Sequence, residues 1–163
     1  MKKLLLICFL TIAVGNSFAQ TLPQLDQIKL KKNKDYKSAE PQVLQTANYV
    51  LSIPIDQNKT SRAAAGEFLL KWMDGTQDYT FMLDDVSTKS FLQNTDLTIV
   101  YFAAICKYAL LNKSHDIKAV ALNGVKGLLD YINNPANNVV KTDEIRELSE
   151  ANDKGKLANF LGL

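Results

Sequence analysis

The chain is poor in the residues that carry out most enzyme chemistry. Among 163 residues there are two cysteines, one histidine and one tryptophan. No HExxH or CxxC pair, Walker loop, GxGxxG fingerprint or GxSxG elbow occurs. Prolines number four and glycines seven, so the chain has few of the residues that interrupt helices. It also lacks an apolar run long enough to span about 30 Å of hydrocarbon, which takes roughly 20 residues. No cofactor, metal centre or catalytic residue is read from this inventory.

Charge is balanced once the N-terminus is considered. Lys2 and Lys3 precede an apolar run over Leu4 to Val14, broken only by Thr11, and Ser17 and Ala19 are small residues at the positions a signal peptidase reads. Residues 1–19 therefore read as a cleavable signal peptide, with the protein periplasmic or secreted. Cys8 lies inside the apolar run after Ile7, which excludes a lipobox. Removing the leader takes away two of the 19 basic residues and leaves 17 of each sign. A net-neutral domain has no bulk attraction for nucleic acid or anionic lipid. Cys106 is then alone, so no internal disulfide forms and the core must supply the stability.

Hydrophobic periodicity predicts an all-α fold, a single bundle of about five to six helices arranged as antiparallel hairpins, with a divergent helical repeat as a variant. Residues 20–39 read as a polar, Lys-rich arm, solvated in the plain reading, with Leu22, Leu25, Ile28 and Leu30 able to dock it. The domain itself covers 40–163. Its first helix runs from Glu40 to Ser52, with Pro41 in the first turn. The second starts at a Thr60 or Ser61 cap and ends at Asp74-Gly75, where Gly75 suits a left-handed terminus. Residues 76–94 read as an extended loop and a short helix over Asp85 to Gln93, with Phe81, Leu83, Val86, Phe91 and Leu92 tucked beneath it.

Leu97 to Leu111 is apolar except at Thr98 and Lys107, which predicts a central helix buried on most sides. The next helix is expected from about Ser114 to Asn133, with Gly124 on its apolar stripe permitting close approach of a neighbour. A final helix follows a Thr142 cap, with Asp143 and Glu144 in its first turn, and Gly155 able to split it.

The most distinctive stretch is Trp72-Met73-Asp74-Gly75-Thr76-Gln77-Asp78-Tyr79-Thr80-Phe81. In the plain reading its aromatics are core, and Asp78 or Thr76 fastens the turn. In the functional reading Trp72, Tyr79 and Met82 rim a groove for a peptide or glycan, with Asp78, Asp84 and Asp85 beside it. Asp74, Asp78, Asp84 and Asp85 fit no EF-hand spacing. A Cys106–His115 dyad is disfavoured because Cys106 stands in a core-like context.

Phe68 to Phe81, Tyr101 to Leu110 and Asn133-Asn134-Pro135-Ala136-Asn137-Asn138 resemble segments of small secreted helical proteins of Bacteroidota. The resemblance covers most of Glu40 to Leu163. It implies export and an all-helical fold and carries no activity across. Two functional expectations follow. One is a non-enzymatic interaction or assembly module that meets a protein partner in the cell envelope. The other is a small-ligand-binding protein or metal-dependent enzyme using the Asp74–Asp85 stretch, with Tyr79 and either Lys107 or His115.

Overall fold

A computed structural model describes residues 21–83, 91 and 93–163. The expected leader, the bulk of the helix expected over 85–93, and Asp84, Asp85, Val86 and Leu92 lie outside the described residues. Among the described residues the chain is all-α: seven α-helices, two 3₁₀ turns and no strand. The helices are α1 (Asn33–Ser38), α2 (Glu40–Ser52), α3 (Lys59–Gly75), α4 (Thr95–Asn112), α5 (Ile117–Asn133), α6 (Asp143–Asp153) and α7 (Leu157–Phe160).

The centre is α4. Ten of its residues are buried, from Leu97 through Ile105 and Cys106 to Ala109, as its nearly continuous apolar sequence requires. Around it pack α2, α3 and α5. A Cβ on Gly124 of α5 would collide with Ile105, and one on Gly127 would stand 3.1 Å from Ala104 Cβ. Positions rise along α5 as they fall along α4, so the two helices run antiparallel, brought close by the absence of side chains at those glycines. The buried apolar residues form one cluster from Leu30 to Leu161.

Side-chain caps open α4, α5 and α6, and two helix starts differ from the sequence reading. Asn94 caps α4, accepting from the N–H groups of Asp96 and Leu97. Thr142 Oγ1 caps α6 as expected, accepting from Ile145 N–H at 3.4 Å. In α3, by contrast, neither Thr60 nor Ser61 is the cap. Asn58 holds that position in the left-handed region, φ 51° and ψ 42°, with no side-chain hydrogen bond. The start of α5 moves from Ser114 to Ile117, because Lys113 turns left-handed and Asp116 Oδ1 accepts from the Lys118 and Ala119 N–H groups.

Gly75 is also corrected. It is the last residue of α3 without a positive φ, which among the described glycines is confined to Gly155 and Gly162. What needs the glycine is space, since a Cβ there would enter the Tyr36 ring. Gly155, at φ 67°, does separate α6 from α7.

Residues 21–39 are docked. Leu30 and Ala39 are buried, and Leu22, Leu25 and Ile28 pack on the core as partly buried neighbours. α1 is closed at its start by Asp35, whose Oδ2 accepts from Lys32 N–H at 3.0 Å and Lys31 N–H at 3.2 Å. Those hydrogen bonds hold the Asp35 carboxyl below its ordinary range, chiefly through Lys32. Tyr36 then lies over Gly75, and its carbonyl accepts from the Trp72 indole N–H at 2.9 Å.

Arg62, on α3, is the one wholly buried charge among the described residues. Its Nη1 donates to the carbonyls of Val50 at 3.3 Å and Ile53 at 3.5 Å, and its Nη2 to the Asp96 carbonyl at 3.4 Å. The guanidinium thus satisfies the last carbonyls of α2 and ties them to the first turn of α4. Nε stands 3.8 Å from Asp96 Oδ1, an ion-pair distance too long for a hydrogen bond.

Candidate functional site

The stretch from the end of α3 to Leu83 is where the sequence concentrates its unusual residues, and the structure divides them between core and surface. Trp72 is 0% exposed and its N–H is engaged by Tyr36. It cannot rim a groove and is withdrawn from the rim. Its role is a floor on which Tyr79 and Phe81 lie, ring centroids 5.8 and 5.9 Å away and tilted by 42° and 58°. Aromatic pairs at such offsets add to what burial alone contributes.

Tyr79 is 8% exposed. Burial is the main cause that raises its phenol pKa, with the charges of Glu40 and Asp78 adding to it. His115, from the turn before α5, stacks on Tyr79 at 5.5 Å between ring centroids and 10° between planes. The His115 Nδ1 lies 2.8 Å from the Asp78 carbonyl oxygen. The imidazole therefore clamps the loop to the α4–α5 turn. Cys106 is buried, and burial pushes its thiol far up, which is the signature of an inert core thiol rather than a nucleophile.

Asp78 does not fasten its own turn through its carboxylate. Thr76 Oγ1 does that, accepting from the Asp78 N–H at 3.4 Å. The Asp78 carboxylate reaches Lys37 of α1 at 3.5 Å and stays partly exposed. Met82 is half-buried, and its carbonyl accepts from Tyr101 Oη at 3.3 Å. Among the described residues no group of three or more His, Cys, Asp or Glu is placed to hold a metal ion.

Between α3 and this segment runs a groove of about 300 Å³, lined by Leu70, Met73, Asp74, Thr76, Tyr79, Thr80, Phe81 and Leu83. Leu70 is 44% and Leu83 42% exposed on it. Sequence reasoning placed Leu83 under a short helix and did not single out Leu70. A signal for Leu70 was present: it lies off the stripe of Ala65, Phe68, Leu69, Trp72 and Met73 that faces the core, so a leucine there has no internal use.

Lys107 is not part of this site. It lines a second cleft between α4 and α5, together with Tyr108, Asn112, Asn123 and Asp130. The two side chains considered as partners for Tyr79 thus separate, His115 beside it and Lys107 in the other cleft. No helix among the described residues is long and apolar enough to cross a membrane. Comparison of the chain with protein-family models, with curated proteins and with solved structures finds no match in any of the three.

Proposed function

We propose that this is an exported helical protein, periplasmic or secreted, that works as a non-enzymatic interaction module by holding a protein partner of the cell envelope in the groove between α3 and residues 76–83. The carrying observation is the pair Leu70 and Leu83, two large aliphatic side chains exposed on one groove. Its wall is completed by Met73, Tyr79 and Phe81. Isolated exposed leucines are ordinary on a protein surface, whereas apolar side chains gathered on one concave face are what a partner's anchor residue fills. Tyr79, held against both Trp72 and His115, gives that face rigidity, so little side-chain freedom is lost on binding.

The leader-like sequence over residues 1–19 and the resemblance to small secreted proteins support export. Fractionation of the native cells tests it, since export places the chain in the envelope or medium with Gln20 as its first residue. An intact Met1 on protein in the cytoplasm overturns it. For the interaction, tagged protein serves as bait in an envelope extract. One protein recovered in near-equal amount, and lost with both Leu70→Asp and Leu83→Asp, is the expected result. Both leucines are surface residues, so their variants should melt within a few degrees of the parent. Equal recovery by parent and variants would move the partner elsewhere.

A further inference from the structure

We propose that the cleft between α4 and α5 is a saccharide-binding site, built from the side-chain amides of Asn112, Asn123 and Asn137 together with Tyr108, over a floor of Ala104 and Gly127. It shares no residue with the groove on α3, so it stands or falls apart from the partner-binding reading.

The cleft has a volume of about 430 Å³, within the range of about 300–1,000 Å³ typical of small-molecule sites. Its floor exists because Gly127 and Ala104 bring the helices together without filling the space above them. Leu51 and Leu111 supply aliphatic surface, and Tyr108 an aromatic side chain.

The polar lining is unusual in how its hydrogen bonds are spent. Asn112 Nδ2 donates to the Tyr108 carbonyl at 2.9 Å, Asn123 Nδ2 to the Ala119 carbonyl at 2.8 Å, and Asn137 Nδ2 to the Tyr131 carbonyl at 2.8 Å. Each amide is thereby held by its own stretch of backbone. Each keeps Oδ1, which accepts no hydrogen bond among the described residues, and one further N–H. Asn137 is only 5% exposed, so its amide is fixed by the fold in advance, and a group already held loses little freedom on binding.

The pattern selects a class of ligand. Lys107 and Asp130 contribute one charge of each sign, so the cleft does not select an ion by net charge. Oriented amides that both donate and accept match hydroxyl groups, which also do both. Tyr108 and the two leucines match an apolar C–H face. A molecule with a hydroxyl edge and an apolar face is a sugar ring.

The test is a titration of the isotopically labelled protein, as isolated from cells expressing the full chain, followed by NMR at the asparagine side-chain amides. The probes are glucose, galactose, N-acetylglucosamine and their β-linked disaccharides, with glycine and leucine as zwitterions. The expected result is saturable movement of the Asn112, Asn123 and Asn137 amide signals with at least one saccharide. Asn112→Ala/Asn123→Ala should weaken that binding tenfold or more with the melting temperature nearly unchanged. Asn137→Ala is avoided because it also removes a structural bond. No movement with any saccharide, movement with the amino acids alone, or binding unaffected by the double variant would each overturn the proposal.

Discussion

Arg62 shows how much one side chain organises. It is buried, it serves carbonyls at the ends of two elements, and it lies 6.0 Å from the centre of the Tyr131 ring. Removing it by Arg62→Ala takes the side-chain donor from the Val50 carbonyl and one of two donors from the Ile53 carbonyl, which keeps Tyr131 Oη, and opens a cavity, so we expect a loss of about 3–5 kcal/mol in denaturant unfolding. Arg62→Lys keeps the charge without the fork and should restore only part of that loss. Asp78 is the contrast. Its carboxylate makes one exposed ion pair with Lys37, so Asp78→Ala should change stability by less than about 1 kcal/mol. A capping residue would be worth about 0.5–2 kcal/mol, so a result near the upper end would give Asp78 the turn-fastening role after all. Arg62 was legible in principle. It occupies the same helical face as Ala65, Leu69 and Trp72, and an arginine on an apolar stripe has to find acceptors inside.

Among the helices, what the sequence revealed is what local chemistry decides. The limits of α2, the Thr142 cap of α6 and the burial of α4 on most sides follow from prolines, caps and periodicity, and the structure has them. The groove was partly legible, since Tyr79 was singled out, but its rim depends on which side of α3 the loop crosses. The cleft was less so. Its lining comes from three helices, α2, α4 and α5, and the turn after α5, and its one early sign was Lys107, the single charge between Leu97 and Leu111. Gly75 was misread because Asp-Gly at a helix end is a local signal for a left-handed residue, while its true neighbour, Tyr36, is 39 positions away. A double-mutant cycle separates the readings. Gly75→Ala alone should cost about 1–3 kcal/mol by forcing the Tyr36 ring aside. In a Tyr36→Ala background the same change should be neutral or slightly stabilising, as alanine is the better helix former. A cost unchanged by Tyr36→Ala would point back to the backbone. Trp72, the single tryptophan, reports the event by fluorescence because Tyr36 accepts its indole proton.

For the molecule as a whole, the core carries a pH dependence on its alkaline side. Cys106 has its thiol pKa raised by burial above the ordinary 9.0. The folded state therefore keeps a proton that the unfolded chain gives up. The associated stability is complete below pH 9 and declines as pH rises through and beyond it. Between pH 9 and 10 the decline due to this group should approach about 1.4 kcal/mol per pH unit. Cys106→Ala should flatten the profile there while lowering stability at pH 7, as measured by urea unfolding across the range. An equally steep fall in the variant would assign it to the buried phenols of Tyr79 and Tyr131, whose pKa values are also raised by burial.

The last turn of α5 and the turn after it are fastened to the loop after α2 by Ile55 N–H to the Asn137 carbonyl at 3.1 Å, Tyr131 Oη to the Ile53 carbonyl at 2.7 Å and Asn138 Nδ2 to Asp56 Oδ2 at 3.2 Å. These bonds close about 80 residues of chain, whereas α4 and α5, the most extensively packed pair, are joined by a short turn. Closure of so long a loop is entropically unfavourable until the helices between have assembled. The fastening should then form after the rate-limiting step, as a lock on a structure already built. Tyr131→Phe, which loses one of the three bonds and about 1 kcal/mol, should raise the unfolding rate about fivefold and leave the refolding rate unchanged in stopped-flow fluorescence. The protein would owe its speed of folding to its helix pairs and its lifetime in the folded state to a latch that plays no part in getting there.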